Sequence, residues 1–220
     1  MKVLVIAPHP DDEILGCAGT MARFAQEGHE VYVVIVTKAG PPLFEPEQVE
    51  QGRQDALAAH RLLGVKETIF CDLPAAQIDT LAHQKVNQVL GDVVKKIMPE
   101  MVFVPFWGDI HLDHQCIFLS ALVAVRPNQA RYPAKIYAYE VLSETNWHAP
   151  FAVQGFQPNV FMDISDFLAI KLQAFALHKS QVKAFPHERS LKTLEALAVL
   201  RGSTVHRHAA EAFVLIREVY

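Results

Sequence analysis

The sequence predicts an α/β fold of three layers, with helices packed on both faces of a mainly parallel sheet. Short β-branched runs alternate with longer segments of helical period through most of the chain, and the polar clusters fall directly after the runs. The 220 residues are 51% apolar, enough to bury a substantial core without disulfide or metal staples.

Lys2 to Ala7 is a strand whose continuous apolar run, Val3 to Ala7, is the pattern of burial on both faces. Beyond the polar stretch Pro8 to Glu13, apolar residues recur at Ile14, Leu15, Ala18, Met21, Ala22 and Ala25, a helical spacing that Gly28 stops. Glu30 to Thr37 is a second Val/Ile-rich strand, which completes a βαβ unit. The alternation continues through a loop at Pro41 to Pro46, a helix from Glu47 to Leu63 closed by Gly64, a short strand Thr68 to Cys71 and a helix Leu81 to Met98. Met101 to Pro105 is a strand, Phe106 to Asp113 a loop, and His114 to about Val125 a helix. Ile136 to Tyr139 and Val160 to Ile164 are further strands, the second at an edge; Ala169 to Gln181 and Leu191 to Leu200 are helices. No repeat, low-complexity tract or linker divides the chain, so residues 1–220 are expected to form a single domain.

A formal charge of −4 without clustered Lys or Arg gives no electrostatic footprint for nucleic acid. No apolar run is long enough for a membrane span or a signal-peptide core, so no integral membrane association is expected. Cys17, Cys71 and Cys116 form no C-x-x-C pair, which argues for a reducing compartment and a cytoplasmic location.

The chemistry concentrates in two loops. His9 to Glu13 follows the first strand and Asp109 to His114 follows the Met101–Pro105 strand. In open α/β sheets ligands bind beyond the carboxyl ends of the strands, so both loops should open on the same edge. Between them they carry three histidines and four aspartates, groups suited to a borderline cation. Two imidazoles and one carboxylate leave a position open for water on zinc; hydrolysis also needs a carboxylate base and a donor for developing oxyanion charge. An N-terminal helix cap would account for one aspartate in either loop, but not for His9 or for the second cluster. Sequence chemistry alone leaves open which of Asp11 and Asp12, and which of His111 and His114, binds metal. Dinucleotide binding is disfavoured, because Gly16 and Gly19 lack the G-x-G-x-x-G spacing and Thr37 and Lys38 stand where a ribose-binding acid would follow the second strand.

Ala7-Pro8-His9-Pro10-Asp11-Asp12-Glu13 resembles the A-H-P-D-D-E signature of the LmbE/PIG-L-like deacetylases, with Pro8 inserted. Asp109-x-His111-x-Asp113-His114 resembles that family's second motif, with Leu112 where Pro is usual. Arg53-x-Asp55 ahead of Leu63-Gly64 is similar to its Arg-x-Glu helix, and His178-Lys179-Ser180-Gln181, Arg201-Gly202 and Ala210-Glu211-Ala212-Phe213 are also alike. The resemblance implies a Rossmann-like fold and zinc-dependent removal of acetyl groups from N-acetylglucosaminyl compounds. It further implies His9, Asp12 and His114 as zinc ligands and Asp11 as general base. Protonated His111 would stabilise the oxyanion, with Asp113 behind it, and Asp11 or His111 would protonate the departing amine. Arg53 would contact sugar hydroxyls. One Zn2+ per chain is implied, with Fe2+ an alternative, together with a small amino-sugar substrate and homo-oligomers such as trimers or hexamers. The competing readings are an amidase of a thiol conjugate, a phosphoesterase, which usually needs a second metal, and a non-catalytic metal-binding module.

Several other residues carry a weaker signal. Cys17 and Cys116 fall in helices, where a thiol acts as a small hydrophobe. His206 and His208 read as exposed strand or loop residues rather than a second metal site, and His178 either lines the pocket or is hydrogen-bonded elsewhere. Trp107 and Trp147 are candidates either for an aromatic wall or for core packing. The loops Lys38 to Pro46 and Ser143 to Pro158 are expected to line the pocket.

Overall fold

The computed structural model describes residues 1–42, 44–127, 132–147, 149, 151–152 and 154–220. The expected pocket loops are thus described except at 43, 148, 150 and 153. β1 (Lys2–Ala7) lies between β2 (Glu30–Lys38) and β4 (Met101–Pro105), parallel to both. Its alternate residues serve two cores. Val3, Val5 and Ala7 pack beneath α1 (Asp12–Gln26), α2 (Pro46–Leu63), α5 (Leu168–Leu177) and α6 (Leu191–Thr204). Leu4 and Ile6 face α3 (His83–Ile97) and α4 (Leu112–Ala124). This two-sided burial is why the run reads as continuously apolar. The three layers expected from the sequence are present.

The sheet order is β3-β2-β1-β4-β5-β7-β6, with β3 at Glu67–Pro74, β5 at Lys135–Tyr139, β6 at Val160–Asp163 and β7 at Ala210–Glu218. The first five strands pair in parallel; β7 is antiparallel to both β5 and β6. From β1 the chain builds outward to β2 and β3, then returns to place β4 on β1's other side. The connections after β1 and β4 therefore diverge, which makes the carboxyl ends of those strands the switch point where such sheets bind ligands.

Several elements differ from the sequence expectation, among them β7, α5 and α4. β7 was not foreseen as a strand, although it sits inside the sheet. α5 ends at Leu177 rather than Gln181, because the chain turns there: the N–H groups of Gln181 and Val182 both donate to His178 O, at 2.8 and 3.0 Å. α4 begins at Leu112, with His111 as its N-cap. Among the described residues no helix is long and apolar enough to cross a membrane.

Helix α1, which carries the first polar loop, is placed by unusual contacts. A Cβ on Gly16 would lie 2.4 Å from Tyr139 Cδ2, and one on Gly19 would lie 2.7 Å from Ile164 Cγ2. These glycines therefore let the helix lie close on the sheet. A buried ion pair reaches the same turn: Lys171 donates to Leu15 O at 2.7 Å and to Glu211, whose carboxylate accepts Gly19 N–H at 2.9 Å and Thr20 N–H at 2.7 Å. Both side chains are almost fully buried, so removing one strands the other's charge. Lys171→Met is expected to lower the free energy of unfolding by about 3–5 kcal/mol in urea titration; an unchanged midpoint would show that the pair does not hold α1.

Candidate metal and catalytic centre

The first loop is fixed from its start. Pro8 O accepts Thr37 N–H at 3.0 Å and the Thr37 hydroxyl at 2.8 Å, which ties the exit of β1 to β2. Asp12 then opens α1, and His114 lies in the first turn of α4. Glu13 supports the loop from behind: its carboxylate accepts Asp11 N–H at 3.3 Å and lies 2.9 Å from His60 Nε2, while His60 Nδ1 is 2.8 Å from Thr68 Oγ1.

Three atoms from the two loops converge. His9 Nδ1 lies 3.1 Å from Asp12 Oδ2, His114 Nε2 lies 3.2 Å from the same oxygen, and the two nitrogens are 3.4 Å apart. Ligands held tetrahedrally at about 2.0–2.1 Å from a cation stand ~3.3 Å from one another. The triangle has that size, and these residues form one of the groups able to hold a metal ion.

The far nitrogens decide the chemistry. His9 Nε2 is 3.1 Å from Asp113 Oδ2, and His114 Nδ1 is 2.8 Å from Asp109 Oδ2. Asp109 is itself fixed by the Thr145 hydroxyl, which donates to Oδ1 at 2.6 Å. Each imidazole thus gives its outer N–H to a carboxylate and turns its other nitrogen to the shared point, an arrangement typical of metal-ligating histidines. Positive charge is required there. Burial opposes charge on His9, yet its bonds to Asp113 and Asp12 push it up to about 9. Burial likewise opposes charge on His114, and Asp12 and Asp109 raise it to about 10. Asp12, despite its burial, is held well below the usual carboxylate range by the His114 and His9 imidazoles. Protons or a divalent cation satisfy the same demand, and these residues fit a metal.

Asp11 stands apart from the triangle. Its Oδ2 accepts from Arg189 Nη1 at 2.9 Å, and among the described residues no donor reaches Oδ1. Burial raises its carboxyl to about 7 against the pull of Arg189. His111 Nδ1 accepts Asp113 N–H at 3.1 Å, so the ring's remaining nitrogen, Nε2, carries the proton of the neutral form. Burial and the neighbouring His9 and His114 lower its pKa. These surroundings disfavour the imidazolium form expected of His111. The Asp113 carboxylate, expected behind His111, hydrogen-bonds His9 Nε2, and His9, His111 and Asp113 together offer ligand atoms within 4.8 Å of one another. It also accepts Ala76 N–H at 2.6 Å and Ile78 N–H at 3.3 Å.

Arg53 is not joined to this cluster by any contact among the described residues; it pairs with Asp72 and its guanidinium lies 4.6 Å from the Phe70 ring centroid. Trp107 packs on Phe106 and Phe118, whereas Trp147 is exposed and donates its indole N–H to Glu188 at 3.0 Å. Cys17 lies buried in α1 and Cys116 half-buried in α4. His178 is buried, with no partner for Nε2 among the described residues, while His206 and His208 are exposed ahead of β7. Sequence reasoning missed Arg189 and the specific partnership of Asp109 with His114. Arg189 had no signal in its own surroundings, while the second motif did contain Asp109.

The sequence profile of the GlcNAc-PI de-N-acetylase (PIG-L) family matches residues 4–125, which include both loops. The chain belongs to that family. Within it, the diacetylchitobiose deacetylase of Thermococcus kodakarensis is 27% identical over 231 aligned residues, covering 94% of this chain and 80% of the relative. The solved N,N′-diacetylchitobiose deacetylase from Pyrococcus horikoshii superposes with a TM-score of 0.78 at 26% identity, over 98% of this chain and 83% of its own. The 4-carboxy-2-hydroxymuconate hydratase from Pseudomonas putida KT2440 superposes with a TM-score of 0.79 at 20% identity, covering 100% and 97% of the two chains. That likeness is one of fold alone, so the family match and the site, not the architecture, carry the functional argument.

If the outer carboxylates orient the ligating imidazoles, Asp109→Asn and Asp113→Asn should each lower divalent-metal affinity by about 10–100-fold in chelator competition. Wild-type affinity in both variants would contradict that role.

Proposed function

We propose that the protein is a metal-dependent N-deacetylase that hydrolyses the acetamide of an N-acetylglucosamine-containing small molecule or glycoconjugate. The carrying observation is the triangle of His9 Nδ1, Asp12 Oδ2 and His114 Nε2, with a carboxylate oxygen of Asp11 in the adjoining loop that no donor among the described residues engages. His9, Asp12 and His114 are assigned as ligands, a set that suits Zn2+ and also admits Fe2+. A cation bound there supplies Lewis acidity, which acidifies water and polarises the amide carbonyl.

The remaining steps belong to the chain's own groups. Asp11 Oδ1 takes the proton of the attacking water as the water oxygen bonds to the carbonyl carbon. His111 Nε2–H donates to the carbonyl oxygen as negative charge develops on it. The protonated Asp11 then gives its proton to the amine nitrogen as the C–N bond breaks, releasing acetate and the free amino sugar. A neutral His111 is already a donor, so the cycle needs no second acid. Arg53, paired with Asp72 near the carboxyl end of β3, is assigned to sugar hydroxyls away from the reacting carbon.

Amine release from a panel of N-acetylglucosamine conjugates, N,N′-diacetylchitobiose among them, tests the reaction. Zinc-loaded protein should release amine and chelated protein should not; tight zinc binding without release from any conjugate would overturn the assignment. Asp11→Ala should keep its metal and lose turnover by about 10²–10⁴-fold, and near-wild-type turnover in that variant would remove Asp11 from the mechanism.

A further inference from the structure

Arg189 lies in the segment between α5 and α6, 178 positions from Asp11 in sequence. Its guanidinium is fixed by separate parts of the chain. Nε donates to Ser143 Oγ at 2.7 Å, Nη1 donates to Gln181 Oε1 at 2.8 Å and to Asp11 Oδ2 at 2.9 Å, and Nη2 lies 3.6 Å from Glu144 Oε1. The side chain is 16% exposed. A rigid planar fork with three anchors outside Asp11 has little freedom left, so it sets the carboxylate's position rather than following it.

The second observation is on the other side of the pair. Asp11 is the N-cap residue of α1, where an aspartate ordinarily accepts an N–H from the helix's first turn; here its side chain makes no such bond. The cap is forgone and the carboxylate is turned to Arg189.

We infer that Arg189 is a positioning residue for the reaction, holding Asp11 by Oδ2, away from the helix cap, so that Oδ1 faces the attacking water. This rests on Asp11 being the general base. Without the guanidinium, the carboxylate is free to rotate onto the N–H groups of α1 and leave the water.

The test uses the full-length, metal-loaded protein, with the N-acetylglucosamine conjugate ranked first by the panel above as probe. In Arg189→Ala, kcat should fall about 10–100-fold, the cost of a misplaced catalytic group, while KM moves less than about threefold. Metal content should stay at the wild-type value, while the melting temperature falls, since Asp11 and Glu144 lose their buried cation. Arg189→Lys keeps the charge and loses the fork, and should lie between the two. It also serves if the alanine variant does not fold. Adding Arg189→Ala to Asp11→Asn should cost less than about twofold further, since a residue that acts through Asp11 has nothing left to position. Wild-type kcat in Arg189→Ala, a change confined to KM, loss of the metal, or a full additional loss in the double variant would each overturn the inference. Undiminished turnover in Asp11→Asn alone would instead overturn the general-base reading, whatever Arg189 does.

Discussion

Two imidazole nitrogens and a carboxylate oxygen held within 3.4 Å of one another form the constraint on which the rest of the site depends. Lone pairs at that spacing repel unless positive charge lies among them. Asp113 and Asp109 occupy the outer ring nitrogens and so prevent either imidazole from turning away. Burial sharpens the demand, because Asp12, Asp109, Asp113 and His114 are almost wholly removed from water. The charges are strongly coupled, and a cation at the shared point satisfies two imidazoles and the carboxylate together.

Bringing those atoms together is the work of the fold. The triangle draws on loops that follow two adjacent strands, and adjacency arises because β4 returns to β1 after β2 and β3 have been laid on its other side. Helix α1 must then start at a fixed height above the sheet. The bare backbone at Gly16 allows its approach to Tyr139, and the Lys171–Glu211 pair grips the next turn through main-chain groups. These buried polar contacts add little net stability while intact. Their contribution is to register, since a shift of α1 would move Asp11, Asp12 and Glu13 together.

The first half of this arrangement was legible in the sequence, because its signals are local. Continuous apolar strands, helical spacing and the polar residues directly after β1 and a few residues after β4 predicted most of the sheet, its helices and the converging loops. The resemblance separated Asp11 from Asp12 and His111 from His114, which spacing could not do. Long-range pairings were not legible. Arg189 stands in His187-Glu188-Arg189-Ser190, which reads as solvated surface, and nothing near it points to Asp11. β7 begins at Ala210 with Glu211 facing the interior, so its first residues lack the expected apolar pattern; that glutamate is buried because Lys171 and two backbone N–H groups meet it. The resemblance implied Asp113 behind His111; its bond to His9 Nε2 in the first loop is a long-range contact that no local signal announced.

The most direct test is to locate the metal by anomalous scattering from crystals of zinc-loaded protein, with data on both sides of the zinc edge. The account predicts one peak per chain, at bonding distance from His9 Nδ1, an Asp12 oxygen and His114 Nε2, with the Asp11 carboxylate outside the coordination sphere. A peak bonded through His9 Nε2, one that includes Asp11 in place of Asp12, or one elsewhere on the protein would contradict it.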